Sequence, residues 1–275
     1  MSKSRRFILY IYLLLAGIGL EFELGTIARK DFSISVGQDL ILSLLVLLIL
    51  FVPLFIFIKK TAGKLKVSIS VFSLALFGGV FISGWLGFAG NSLIDIINSN
   101  FIKDPTFFNQ WTDSFTAPFA EEFFKALVAY AVLFILNKKD FQSVLIAGIS
   151  SGFGFQISED ISYVSRHSLG GESSGVSEAV GRIMGGLASH ALYTAVVVVG
   201  VYLILSTVVK KHRLFGWWCV LSTVVNHFIW NSQFYETSHR INILSGFLFL
   251  LQAATFIEVY LLAFKERELP QEEQS

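Results

Sequence analysis

The sequence predicts an all-α, polytopic membrane protein with about eight transmembrane helices and both termini in the cytoplasm. Of its 275 residues, 54% are hydrophobic and only 15% are charged, whereas a soluble domain is about 25% charged. The mean hydropathy of +0.66 agrees with this bias. Because a soluble core of this size could not hide so much apolar surface, the composition excludes a soluble enzyme and a disordered protein. The net charge of +1 provides no basic surface, so no nucleic-acid partner is expected.

Apolar stretches of about 20 residues, the length that a membrane-spanning helix needs, follow one another along the chain. We interpret them as spans 1 to 8, in chain order: Phe7–Glu23, Leu40–Ile58, Val67–Ala89, Ser114–Leu136, Phe141–Tyr163, Ala179–Val209, Leu214–Asn231 and Ile241–Phe264. Span 1 is short and follows basic residues, so a cleaved signal peptide is the alternative to a retained helix. No small-residue cleavage site leads into a soluble domain, which favours the retained helix.

The basic residues of the connecting segments set the predicted orientation. With the N-terminus inside, the inner segments hold fourteen Lys and Arg residues and the outer segments hold five. The inner residues are Lys3, Arg5, Arg6, Lys59, Lys60, Lys64, Lys66, Lys138, Lys139, Lys210, Lys211, Arg213, Lys265 and Arg267, and the outer ones are Arg29, Lys30, Lys103, Arg166 and Arg240. This alternation supports eight spans in the lipid bilayer of the cell membrane.

The predicted organisation has three parts. Residues 1–113 hold spans 1 to 3 and an outer loop, residues 114–235 form a four-helix core, and residues 236–275 hold span 8 and a polar tail. The outer segments 90–113 and 164–178 are longer than the inner connections. The second is rich in Gly and Ser, which predicts a flexible connector that could act as a lid.

Small residues at four-residue spacing predict close helix packing in lipid. The pairs are Gly79 with Ser83, Gly148 with Gly152, and Gly181 with Gly185. The single cysteine excludes an intrachain disulfide and a cysteine-based metal site.

Polar and ionisable side chains inside the spans are the candidates for function, because charges in a bilayer are costly and normally face a protein interior. They are Glu121, Glu122 and Lys125 in span 4, Glu159 and Asp160 in span 5, Arg182 and His190 in span 6, and Asn226, His227 and Asn231 in span 7. A helix rises about 1.5 Å per residue, so the predicted span directions put all four groups in the outer half of the membrane. A shared polar site explains this common depth better than scattered structural residues do.

Each candidate also has a structural explanation. Glu121 and Lys125 share a helix face and could be a buried ion pair that only fixes packing, with Glu122 about 100° away. The histidines and asparagines could be hydrogen-bonded interior residues. Arg182 is either an interfacial anchor or a counterion of Glu159.

A hydrolytic site accounts for the whole set. Peptide hydrolysis needs a water molecule, a base and donors for the oxyanion. Either glutamate of span 4 is a candidate base, because a low dielectric makes a carboxylate more basic. His190 could position the water, and His227 and Asn231, one helical turn apart, could donate to the oxyanion. Lys125 would keep its partner glutamate ionised.

A metal-dependent version of this chemistry is the close alternative to a reaction that needs no cofactor. One divalent metal such as zinc would find plausible ligands in Glu121, Glu159, His190 and His227. No His-Glu-x-x-His motif is present, which argues against a zincin-type protease. The Gly-x-Ser-x-Gly match at 148–152 lies within a predicted helix, so we treat it as chance.

Four motifs, in order on four successive spans, resemble the PrsW family of membrane proteases, which is related to the CAAX-protease and bacteriocin-processing glutamate proteases. They are Glu121-Glu-x-x-Lys125, Phe155-x-x-x-Glu159 followed by Asp160 and Tyr163, His190 in an apolar helix, and His227-x-x-Trp230-Asn231. The resemblance covers about residues 115–235. It implies an intramembrane endopeptidase that cleaves a single-span membrane protein, such as an anti-sigma factor, on its extracytoplasmic side.

Residue by residue, the resemblance implies that the adjacent glutamates of span 4 are the catalytic pair. Glu159 matches the second motif, where the CAAX branch has a histidine, so His190 is the candidate to position the water instead. His227 and Asn231 resemble the motif with the proposed oxyanion role.

Two other functions fit parts of the sequence. Buried Glu, Lys and His residues also suit a proton- or ion-coupled transporter, although only Glu258 indicates a polar station in the inner half. A non-catalytic membrane scaffold would tolerate substitution of the polar residues. The oligomeric state is left open by the sequence.

Overall fold

The computed structural model describes residues 1–28, 33–170, 174–186, 189–206, 210–233 and 243–268. All regular structure in these ranges is helical, and ten α-helices follow one another. They are α1 (Lys3–Ala28), α2 (Ile34–Lys64), α3 (Ile69–Gly78), α4 (Gly84–Phe101), α5 (Pro105–Leu136), α6 (Phe141–Gly170), α7 (Gly175–Gly185), α8 (Ser189–Leu205), α9 (Arg213–Trp230) and α10 (Ile243–Glu268). A π-helical segment, Gly79–Ser83, joins α3 to α4, and a 3₁₀ turn, Lys210–His212, precedes α9.

Four stretches of the described chain are long and apolar enough to cross a membrane. They are Lys3–Gly25, Ile34–Lys64, Ile69–Phe101 and Ile243–Glu266, and α7 with α8 would add a fifth as one bent span. The helices α5 and α6 have 32 and 30 residues, which is also sufficient length. The all-α membrane fold is therefore confirmed, whereas the number of eight spans and the side of each terminus stay predictions.

The segment 90–113 is helical for most of its length, so its prediction as a long outer loop is wrong. Helix α4 continues to Phe101, and α5 begins at Pro105. Asp104 caps α5, because its carboxylate accepts hydrogen bonds from the backbone N–H groups of Thr106 and Phe107 at 2.9 and 3.3 Å. Hydropathy marks where a helix would leave the membrane, and these helices continue beyond that point.

The segment 164–178 differs from its prediction in the same way. Helix α6 extends to Gly170 and α7 begins at Gly175, so no long flexible connector lies in the described part of this segment. Residues 171–173 lie outside the described residues. Predicted span 6 is divided in two, because α7 ends at Gly185 and the N–H of Gly186 returns to the carbonyl of Arg182 at 2.8 Å. The predicted ends of spans 6 and 8, at Val209 and Ile241, also lie outside the described residues.

Helix α6 lies at the centre of the molecule and contacts α2, α3, α5, α7 and α8. Glycines allow these close approaches. A Cβ atom on Gly152 would overlap the carbonyl oxygen of His190 in α8, and one on Gly79 would lie 2.8 Å from the Cα of Gly154. The predicted packing roles of Gly79 and of the pair Gly148 and Gly152 are therefore confirmed.

The third predicted pair has no such role among the described residues, because no atom lies within 4 Å of a Cβ added to Gly181 or Gly185. Both glycines lie in α7 rather than in a continuous span.

Gly152→Ala is expected to destabilise the fold by about 1–3 kcal/mol, because the added methyl group forces α6 and α8 apart. The midpoint of thermal unfolding in detergent measures this effect. Gly17→Ala is the matched control, since no atom lies within 4 Å of its added Cβ. Equal midpoints for the two variants would contradict the tight crossing of α6 and α8.

Candidate active site

Three buried charges of α5 form the first part of the site. The Nζ of Lys125 donates a hydrogen bond to Glu122 Oε1 at 2.6 Å and lies 3.6 Å from Glu121 Oε2. Lys125 is completely buried. The predicted pairing of Lys125 with Glu121 is present, but Glu122 is the closer partner, because the long lysine stem reaches both the third and the fourth residue before it. Thr194 of α8 donates to the other oxygen of Glu122 at 3.2 Å.

Local features of α5 connect these glutamates to the end of α9. Pro118 lies in the turn before Glu121 and Glu122 and cannot donate a backbone hydrogen bond. One turn earlier, the hydroxyl of Ser114 donates to the backbone carbonyl of Asn231 at 2.8 Å. This bond fixes the C-terminal end of α9, and with it the position of Asn231.

Arg182 is the counterion of two carboxylates on α6. Its Nη2 donates to Glu159 Oε2, and its Nε donates to Asp160 Oδ1 at 2.6 Å. Of the two predicted roles of Arg182, that of a counterion of Glu159 is therefore confirmed, rather than that of an interfacial anchor. The bond to Asp160 was not foreseen, although two adjacent acidic residues gave a signal for it.

The short helix α7 presents Arg182, and Asp39 of α2 holds the start of that helix. The carboxylate of Asp39 accepts hydrogen bonds at 2.7 Å from the hydroxyls of Ser168 and Ser174 and from the backbone N–H of Gly175. A carboxylate at a helix N-terminus is favourable, because it meets unpaired N–H groups. These contacts join α2, α6 and α7.

His190 of α8 connects the two groups of charges. Its Nδ1 lies 3.1 Å from Lys125 Nζ, and its Nε2 lies 3.0 Å from Glu159 Oε2. A protonated lysine only donates hydrogen bonds, so in this arrangement Nδ1 accepts and Nε2–H donates to Glu159. The ring of Phe155 packs against His190 at 4.9 Å and under the lysine nitrogen at 4.3 Å.

His227 of α9 lies beside the glutamates of α5. Its Nδ1 is 3.3 Å from Glu122 Oε1 and its Nε2 is 3.9 Å from Glu121 Oε2. Its ring meets that of His190 edge to face, with 5.9 Å between ring centroids. The side chain of Asn231, one turn further along, faces the same space.

A polar cavity of about 160 Å³ lies between these side chains and has room for several water molecules. It is lined by Asn91, Asp113, Ala117, Glu121, Glu159, Tyr163, Arg182, His190, Tyr193, His227, Trp230 and Asn231. Five of the seven residues predicted as catalytic line this cavity. The remaining two, Glu122 and Lys125, do not line it, but Lys125 contacts Glu121.

Asn91 of α4 is the main residue that the sequence did not indicate. Its Nδ2 donates to Glu121 Oε1 at 3.2 Å. The mistaken prediction of a loop at 90–113 concealed it, because a polar residue in a loop carries no signal. A helical interpretation of this segment would have placed Asn91 on a membrane helix, where an amide is a candidate.

The donor atoms of this cavity fit one divalent metal ion. One ligand atom each from Glu121, Glu159 and His190 lie within 4.8 Å of one another. Glu121 Oε2 lies 3.6 Å from Lys125 Nζ but has no hydrogen-bond partner among the described residues, so it keeps lone pairs with which to bind a metal ion. Two carboxylates and one imidazole suit zinc and similar ions. Binding through His190 Nε2 requires its proton to move to Nδ1 and Lys125 to turn towards the glutamates. His227, the fourth predicted ligand, is outside this group.

A protein-family model described as PrsW family intramembrane metalloprotease matches residues 65–260. This range contains every residue of the polar cavity and excludes α1 and α2. No curated protein and no solved structure matches the chain.

Proposed function

The chain belongs to the PrsW family of intramembrane metalloproteases, and from this premise we propose that it cleaves a single-span membrane protein with a water molecule activated by Glu121. The chain is a multi-pass membrane protease. The observation that carries the proposal is the convergence of Glu121, Glu159 and His190 on one polar cavity, beside His227 and Asn231. The family match favours proteolysis over transport or a scaffold role.

Glu121 is the proposed base because it lines the cavity and its Oε2 has no hydrogen-bond partner among the described residues. Asn91 holds the other oxygen, which orients the carboxylate. Glu121 takes a proton from the water molecule while the water oxygen forms a bond to the scissile carbonyl carbon. It then gives this proton to the amide nitrogen, so that the carbon–nitrogen bond breaks. Glu122 is less suitable, because Lys125 and Thr194 occupy its two oxygens.

The remaining side chains have supporting roles in this scheme. Glu159 and His190 orient the water from the side opposite Glu121. His227 and Asn231 donate hydrogen bonds to the oxyanion of the tetrahedral intermediate, which is the charge that such sites stabilise most. Lys125 and Arg182 offset the carboxylate charge and keep the acidic groups in position.

In the metal-dependent alternative to this scheme, Glu121 would be a metal ligand rather than the base, and Glu121, Glu159 and His190 would together hold a divalent cation. When bound, the cation supplies Lewis-acid activation of the water and of the scissile carbonyl. In that case Asn91 and Arg182 orient the carboxylates from behind, as partners of metal ligands commonly do.

The predicted orientation supports a cut on the extracytoplasmic side. With the N-terminus inside, the cavity lies in the outer half of the membrane. A single-span protein such as an anti-sigma factor presents its extracytoplasmic juxtamembrane segment at this depth. Such a cut would start a signalling cascade.

Cleavage by the purified full-length chain in proteoliposomes tests the function. Single-span anti-sigma factors are the first substrates, and mass spectrometry of the new termini locates the cut. We expect a cut at the extracytoplasmic end of the span. A cut on the cytoplasmic side, or intact substrates throughout the panel, would overturn the proposal.

The metal content of the purified protein can be predicted and measured without a cleavage assay. In the metal-dependent scheme, the purified chain is expected to contain about one divalent ion, and His190→Ala is expected to lower this content, because it removes one of the three candidate ligands. Elemental analysis of the purified protein measures it. The control is Glu258→Gln, which changes an exposed glutamate of α10. Full cleavage by metal-free protein would contradict the metal-dependent scheme.

A further inference from the structure

A second cavity opens beside the first, and Glu121 and Glu159 line both. Its volume is about 340 Å³, roughly twice that of the polar cavity. The side chains of Phe22 and Glu23 line it from α1, and Phe88 lines it from α4. The second cavity therefore adjoins the place where a peptide carbonyl would reach the two shared glutamates.

The position of Glu23 is fixed by the way in which α1 docks. Tyr12, Leu15, Gly19 and Glu23 follow at three- or four-residue spacing and share one helix face. Tyr12 donates to the carbonyl of Leu74, the carbonyl of Leu15 accepts from the Trp85 indole at 3.2 Å, and a Cβ on Gly19 would overlap the Phe81 backbone. Glu23 extends the same face by one turn.

Glu23 has a hydrogen-bonded position in the cavity, and no cationic partner for it lies in the described part of the chain. Ser158 of α6 donates a hydrogen bond to its Oε1. A Cβ atom on Gly84 would overlap the Ser158 hydroxyl and lie 3.5 Å from Glu23 Oε1, so a glycine leaves room for this pair. Among the described residues, no Lys, Arg or His nitrogen lies within ion-pair distance of the carboxylate of Glu23.

The other cations near the site are engaged elsewhere. Lys125 pairs with the glutamates of α5, and Arg182 pairs with Glu159. Arg166, the basic residue of the second cavity, stacks on the ring of Tyr163 at 4.4 Å. A half-buried carboxylate whose partner, among the residues that the structure describes, is a hydroxyl group favours a cationic ligand.

The apolar part of the cavity suits the stem of a long basic side chain. The rings of Phe22 and Phe88 lie 5.8 Å apart and are 37% and 61% exposed, so they offer apolar surface at the opening. Aromatic faces attract both the methylene stem and the charge of Lys or Arg.

We propose that the second cavity is a specificity subsite in which Glu23 binds a Lys or Arg side chain of the substrate, next to the scissile bond. This inference rests on the proposed function. Helix α1, and Glu23 with it, lies outside the range that the family model matches, whereas the other side of the subsite lies within that range. Glu23 is a specificity-determining residue and takes no part in bond cleavage.

The test uses the full-length chain in proteoliposomes with a set of single-span reporter proteins. The reporters differ at one residue beside the mapped cut, and this residue is Lys, Arg, Leu or Glu. Wild-type protein is expected to cleave the Lys and Arg reporters about tenfold or more faster than the Glu reporter, as one charge-assisted contact provides. Glu23→Gln is expected to bring this ratio close to one, and Glu23→Lys to reverse it. Because the ratio is internal to each variant, partial unfolding does not change it.

Glu21→Gln is the matched control, because Glu21 is exposed on the same helix two residues away. It should keep the wild-type ratio. A wild-type ratio near one, or a preference for Lys that survives Glu23→Lys, overturns the subsite.

A binding experiment separates failure of the subsite from failure of the protease function. The Lys and Glu reporters, each with a photoreactive residue beside the variable position, are crosslinked to the Glu121→Gln variant. A crosslink to α1 that forms with the Lys reporter and not with the Glu reporter supports the subsite, even if no reporter is cleaved. The absence of cleavage would overturn only the protease function. Equal crosslinks for Lys and Glu reporters overturn the subsite whatever the cleavage result.

Discussion

Glu121→Gln is expected to lower the rate of substrate cleavage by about 10²–10⁴-fold, which is the usual contribution of a general base. The amide has the shape of the carboxylate and can still contact Asn91, but it cannot take a proton from water. Lys125 keeps its 2.6 Å bond to Glu122 in this variant, so the fold should be preserved. Initial rates in proteoliposomes, together with the midpoint of thermal unfolding, measure the two effects separately.

Glu258→Gln is the control for this substitution, because it makes the same chemical change on an exposed face of α10. It should cleave at the wild-type rate. If Glu121→Gln also cleaved at that rate, Glu121 would not be the base, and Glu122→Gln would be the next variant to test.

Lys125→Met is expected to have the largest effect on stability, a loss of about 3–5 kcal/mol. The methionine fills a similar volume but leaves two buried carboxylates without their ammonium partner. Lys125 is completely buried and contacts Glu121, Glu122 and His190, so no water replaces the lost contact. Unfolding of the purified protein in detergent measures the change.

Lys103→Met is the control, because Lys103 is an exposed lysine between α4 and α5. Adding Glu122→Gln to Lys125→Met should recover part of the lost stability, since it removes one of the two unpaired charges. A double variant that is no more stable than Lys125→Met would show that the lysine acts through packing rather than charge.

The residues of the cavity were mostly predictable from the sequence, because a charge in an apolar helix is rare enough to be informative. Glu121, Glu159, His190 and His227 stood out on this ground alone, and the structure brings them together. Their direct partners were less predictable. Helix spacing identifies neighbours within one helix, whereas the bonds of Thr194 to Glu122 and of His190 to Lys125 join different helices.

Helix ends were the part of the fold that hydropathy could not predict. Hydropathy measures the preference of a segment for lipid. In α4 and α6 the sequence becomes more polar several residues before the helix ends. Asn91 was missed for this reason. Glu23 was missed for a different one, because as the last residue of a predicted span it looked like a membrane-boundary charge.

The contacts of the active-site cluster imply an electrostatic imbalance. Within the described ranges, four carboxylates, those of Glu121, Glu122, Glu159 and Asp160, face two permanent cations, Lys125 and Arg182. In a low-dielectric interior such a deficit is costly, so two further positive charges make the cluster neutral. One divalent ion supplies both charges at once, so a cation held by Glu121, Glu159 and His190 would also balance the charge of the whole cluster.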